Sequence, residues 1–118
     1  MSSKWQEEAC DESGFAVAGV GPDAPTVVSK NGAKQSGSPY RCDLLPALAS
    51  LHIASILKYG AEKYGDNNWR GLTVADHINH AITHILAFQV GDKSDDHLGH
   101  AACRMLMALE TDISGGKQ

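Results

Sequence analysis

Residues 76–100 read DHINHAITHILAFQVGDKSDDHLGH. Ile78, Ala81, Ile82 and Ile85 recur at helical spacing, so this stretch opens as a helix with an apolar face that must be core. Thr73 is a good N-cap just ahead of it, and Gly91 is a stop. A helix is therefore predicted from Val74 to about Val90. DKSDD is the turn that follows, with Ser94 or Asp95 as the cap of a further helix running from about Asp96 to Asp112. Ala101, Ala102, Met105, Leu106 and Leu109 supply the apolar side of that helix. A turn this short makes the two helices antiparallel neighbours.

Upstream, Asp43 reads as the cap of an earlier helix, with Pro46 tolerated in its first turn. Leu45, Leu48, Ala49, His52, Ile53, Ile56 and Leu57 follow at helical spacing, and the helix runs to about Tyr64, weakened near its end by Gly60. GDNNWRGL, which follows, is turn chemistry. The fold class expected is all-α: a small helical bundle with three main helices, preceded by an irregular N-terminal arm. Residues 1–38 form that arm and loop, rich in Gly, Ser, Pro and Asp. Their short apolar pieces, FAVAGV and TVV, suit a short strand or a partner contact. Residues 39–113 form the helical domain, and 114–118 a flexible tail.

A chain of 118 residues supports one compact domain. Its formal net charge of -4 argues against a nucleic-acid polymer as partner, because a phosphate footprint needs a basic face. Free nucleotides remain open to it where metal ions bridge the charges. No apolar run suits a signal peptide or a membrane span. Cys10, Cys42 and Cys103 are odd in number and widely spaced, which reads as free thiols in a reducing cytoplasm.

The stretch 76–100 also holds five of the six histidines in the chain. His77, His80 and His84 share one narrow face of their helix, flanking the isoleucines, and His97 and His100 point together from the next helix. In an antiparallel hairpin His84 and His100 sit at similar heights, with Asp92, Asp95, Asp96 and His97 nearer the turn. Imidazoles and carboxylates in one pocket suit a divalent cation that polarises a phosphate and acidifies a water. Oxygen-rich sites favour Mg²⁺, and added imidazoles shift the preference toward Mn²⁺, Co²⁺, Fe²⁺ or Zn²⁺. The bland alternative is a set of solvated helix faces, but it leaves the shared faces unexplained. The sequence contains neither a His-Asp doublet nor an HExxH motif, so two other metal-hydrolase classes lack support.

The second dense stretch is KYGAEKYGDNNWRG, residues 58–71. Trp69 or Tyr64 can stack on a base, Asn68 can read a base edge, and Lys63 and Arg70 can meet phosphate. Equally, the same residues make a helix C-terminus with favourable cations and a Trp that anchors the loop. Glu62 either faces the histidine cluster as a ligand or sits in solvent beside Lys58 and Lys63.

The order of RCDLLP, YGAEKYGDNNWRG, HINHAITH and GDKSDDHLGHAACRMLMALE, with Lys34 ahead of them, resembles the phage-associated dATP/dGTP diphosphohydrolase domain. That domain is itself similar to the MazG-like all-α nucleotide pyrophosphohydrolases. The resemblance covers residues 32–111. It implies hydrolysis of a deoxypurine nucleoside triphosphate to the monophosphate and pyrophosphate, with divalent metal, on a bundle that oligomerises. His77 and His84 match family histidines, with Thr83 where the family has arginine. Asp92 and Asp95 match its acidic stretch.

On that resemblance the metal set is drawn from His77, His84, Asp92, Asp95, Asp96, His97 and His100. His80, His84 and Asp96 are the catalytic candidates. Lys34, Arg41, Lys63 and Arg70 neutralise phosphate, while Tyr64, Asn68 and Trp69 hold the base. The implied partners are the nucleotide and further copies of the chain, as a dimer or tetramer, in the cytoplasm (the host's, where a phage encodes it). The alternative is a nucleotide-binding or nucleotide-sequestering module without catalysis, its histidines serving as hydrogen-bond donors.

Overall fold

The computed structural model describes residues 17–115, which divide after Leu45 into two compact units. The first unit is more regular than the expected arm. Strand β1 (Thr26–Val28) pairs antiparallel with β2 (Lys34–Ser36), in the register Thr26 with Ser36, Val27 with Gln35 and Val28 with Lys34. TVV is the β-branched half of this hairpin. Its loop closes where Gly32 takes a φ of 88°, a left-handed conformation open to glycine. The Asn31 side chain helps by accepting from the backbone N–H of Ala33.

The same unit ends in a short 3-10 turn, Cys42–Leu44, which corrects the reading of Asp43 as a helix cap. The physical cause is Pro46. A residue before proline is pushed out of the helical region, and Leu45 is extended with ψ of 135°. Helix α1 therefore starts beyond the proline and spans Ala47–Tyr64. Asp43 instead takes a two-pronged contact from Arg41, at 3.0 Å from Nε and 2.8 Å from Nη2.

In the second unit, a 3-10 turn at Asn68–Gly71 joins α1 to α2 (Val74–Gln89), and α3 (His97–Ile113) follows. Thr73 and Asp76 form a reciprocal capping box at the start of α2. Gly91, with φ of 86°, ends it. The cap of α3 is Asp96, not Ser94 or Asp95, and its carboxylate accepts from the Gly99 backbone N–H. Gly99 has to be small, because a Cβ there would run into that carboxylate. The other oxygen of Asp96 contacts His52 Nε2 at 2.5 Å, which ties α1 to the start of α3.

Helices α2 and α3 pack closely as the hairpin, and α1 lies against α3. Small residues make that closeness possible: Ala81, Ala101, Cys103 and Ala108 are the buried apolar side chains among the described residues. The expected core face of Ile78, Ile82 and Ile85 is corrected here, since all three are exposed. So are Met105, Leu106 and Leu109 on α3. Alanines at the crossing draw the backbones together and leave the larger side chains outside the contact.

Candidate functional site

One cleft of about 1280 Å³ opens between the second half of α1, the turn after it, and the α2–α3 hairpin. Lys58, Lys63, Tyr64, Asn68, Trp69 and Arg70 line its loop side. His80, His84, Asp95, His100 and Arg104 line its hairpin side. The two dense stretches of the sequence thus face one space. The cleft is large enough for a nucleotide by the usual size of ligand pockets, about 300–1,000 Å³.

The hairpin places His84 and His100 level, and their rings stack with centroids 5.2 Å apart. Behind them His84 Nδ1 faces His97 Nδ1 at 2.9 Å. One of these nitrogens donates and the other accepts, so they share a single proton. Burial, followed by the neighbouring His100 and His97, pushes the His84 pKa below its ordinary value. His84 is therefore neutral near pH 7, with a lone pair available on one nitrogen.

His97 is buried, and its Nε2 has no hydrogen-bond partner among the described residues. Asp92 Oδ1 lies 3.3 Å from that nitrogen. The contact is close enough for charge attraction but poorly aligned for a hydrogen bond. Asp92 itself is held at a pKa of about 2, first by hydrogen bonding from Ser94 and then by His97. Asp95 Oδ1 lies 3.5 Å from His100 Nε2.

Imidazole nitrogens beside carboxylate oxygens are the donor types that suit a divalent cation of borderline softness. The orphaned nitrogen of His97 fits that chemistry. Among the described residues, no three His, Cys, Asp or Glu side chains converge as a ready ligand group.

The remaining sequence candidates fall elsewhere. His77 does not join the cluster: it is completely buried, its Nε2 lies 3.1 Å from the Trp69 carbonyl, and its Nδ1 lies 3.0 Å from Arg104 Nη1. Asp96 is engaged by His52 and by the α3 backbone, and these contacts lower its pKa. His80 lies exposed on the cleft wall. Arg70 is stacked 4.3 Å over the Trp69 ring, with Glu110 at 4.0 Å, so one face of the indole is already covered. Lys63 lies over the Tyr64 ring at 5.1 Å. Lys34 and Arg41 belong to the first unit, Lys34 on β2 and Arg41 paired with Asp43.

Sequence reasoning passed over His52 and Arg104. His52 was read as one of the helical positions of α1 and turns out to hold Asp96. Arg104 falls four residues after His100 and seven after His97, on the same helical face, and that spacing would have found it.

No curated protein and no solved structure matches the chain. A family model does match, over residues 29–118, and its description is dATP/dGTP diphosphohydrolase, N-terminal. That span covers the hairpin unit's last strand and turn, all three helices and every residue of the cleft, and the chain belongs to this family.

Proposed function

We propose that the helical unit hydrolyses dATP or dGTP to the monophosphate and pyrophosphate. One observation carries this reading beside the family match: a single cleft is lined both by an aromatic, basic loop and by the histidine cluster. The exposed face of Trp69 and Asn68 would hold the purine, and Lys58 and Lys63 would meet the phosphate chain. A water attacks the α-phosphorus, its proton passes to His84 or His80, and the bond to the bridging oxygen breaks so that pyrophosphate leaves.

We also propose a divalent cation, Mg²⁺ or Mn²⁺, with ligands drawn from His97, His100, Asp92 and Asp95. When bound it would neutralise triphosphate oxygens and acidify water. Product analysis tests both parts. Metal-stripped protein incubated with each natural deoxynucleoside triphosphate should consume dGTP or dATP only after Mn²⁺ or Mg²⁺ is restored. Consumption of no nucleotide under any cation would refute the catalytic reading.

The lack of three converging ligands favours one alternative, a module that retains a nucleotide without cleaving it. The same experiment, followed by equilibrium dialysis, separates the two.

We further propose that the chain works as a homo-oligomer, a dimer or tetramer. Ile78, Ile82 and Ile85 on α2, with Met105 and Leu109 on α3, are exposed at helical spacing. Apolar surface of that extent in one small unit calls for cover, and a second copy supplies it through a self-complementary contact. A sedimentation coefficient of a monomer at micromolar concentration would contradict this. No helix among the described residues is long and apolar enough to cross a membrane. A reducing cytoplasm suits the free thiols of Cys42 and Cys103.

A further inference from the structure

We propose that Arg104 is the anchoring cation for the substrate's phosphate chain, and that buried His77 is the positioning residue that holds it. The inference rests on the nucleotide reading of the cleft and adds a residue that the reading did not contain.

Arg104 lines the cleft from α3, one helical turn beyond His100. Its guanidinium donates from Nη1 to His77 Nδ1 at 3.0 Å. Among the described residues no carboxylate pairs with it, in contrast to Arg41, which Asp43 engages, and Arg70, which has Glu110 nearby. A half-buried guanidinium in a cleft, with one donor spent on a neutral partner, retains several N–H groups and its whole charge for an anion.

The tautomer of His77 follows from its partners. The Trp69 carbonyl can only accept, so the Nε2–H donates to it, and Nδ1 is left as the acceptor for Arg104. An imidazolium would turn two donors against each other at Nδ1. Complete burial and the charge of Arg104 keep the ring neutral. The imidazole also meets the Trp69 indole edge-on, with centroids 6.2 Å apart. A single rigid ring thereby fixes both the loop that carries the aromatic platform and the guanidinium on the facing helix. Base-binding and phosphate-binding elements are held in register through it.

The test compares native protein with Arg104→Gln and Arg104→Lys, using inorganic tripolyphosphate, dGTP and deoxyguanosine as probes in calorimetry. Arg104→Gln is expected to weaken tripolyphosphate and dGTP binding about ten- to a hundredfold, the scale of a lost charge-assisted contact. Its affinity for deoxyguanosine should stay unchanged, which a general loss of structure would not allow. Arg104→Lys should recover only part of the loss, because an ammonium cannot reproduce the fork. For His77, a Gln that can both donate and accept should retain more tripolyphosphate affinity than Ala. Equal tripolyphosphate affinity in native and Arg104→Gln protein would overturn the proposal, and so would native protein that fails to bind tripolyphosphate. If native protein releases no monophosphate, yet Arg104→Gln loses tripolyphosphate, hydrolysis falls as the function and Arg104 stands as the anion site.

Discussion

Replacing both His84 and His100 by alanine is expected to lower turnover of dGTP by about a hundredfold or more, the scale of a lost proton acceptor. Retention of the nucleotide should change far less. The two rings stack at 5.2 Å on facing helices and line the cleft, whereas the contacts proposed for base and phosphate come from the loop and from other cations. The effect should be larger than for His80→Ala, since His80 has no ring stacked against it among the described residues. Stopped assays with saturating nucleotide separate turnover from affinity. A double variant that turns over near the native rate would remove the histidine cluster from the mechanism.

Stability should depend most on His77. Among the described residues it is the largest side chain with no exposure at all, and both its ring nitrogens are bonded. Alanine there leaves a cavity and strands a guanidinium donor and a carbonyl, at a cost of about 3 kcal/mol. In a unit of this size that corresponds to a fall of about 15 °C in Tm. Exposed His80, one helical turn away, should cost less than about 0.5 kcal/mol as alanine.

His77 also gives the stability a pH dependence. Burial holds its folded pKa below the ordinary 6.5, so the unfolded chain binds the extra proton first. Stability is then fully present above pH 6.5 and falls as the pH drops from there toward the folded value. Melting temperatures of native and His77→Gln protein between pH 5 and pH 8 should draw closer toward the acidic end, with native protein beginning to lose its advantage below about pH 6.5.

Much of the helical unit was legible because its signals are local. Thr73 as N-cap, the period of α2 and Gly91 all act within a turn or two of the chain, and together they mark the bounds that the structure keeps. The hairpin geometry then brought His84 and His100 level, a consequence of a short connection alone. What escaped the sequence depended on neighbours or on packing. Asp43 has the chemistry of a cap, but Pro46 forces Leu45 extended and moves the helix start. Ile78, Ile82 and Ile85 have the spacing of a core face, yet alanines on α2 and α3 set the closest approach and leave the isoleucines outside. His77 shares a helical face with His80 and His84, but the turn before α2 folds over it and captures its ring. The spacing from His100 puts Arg104 on the right face of α3, but its bond to His77 depends on α3 facing that ring across the hairpin.

The central claim is cleavage between the α- and β-phosphorus of a deoxypurine triphosphate in this cleft. The most direct measurement is product analysis by mass spectrometry after turnover of dGTP in ¹⁸O-labelled water with Mn²⁺ present. The account predicts label in the nucleoside monophosphate and none in the pyrophosphate, and the same pattern for dATP if both purines are accepted. Release of orthophosphate, label in the pyrophosphate, or nucleotide retained without any product would contradict it.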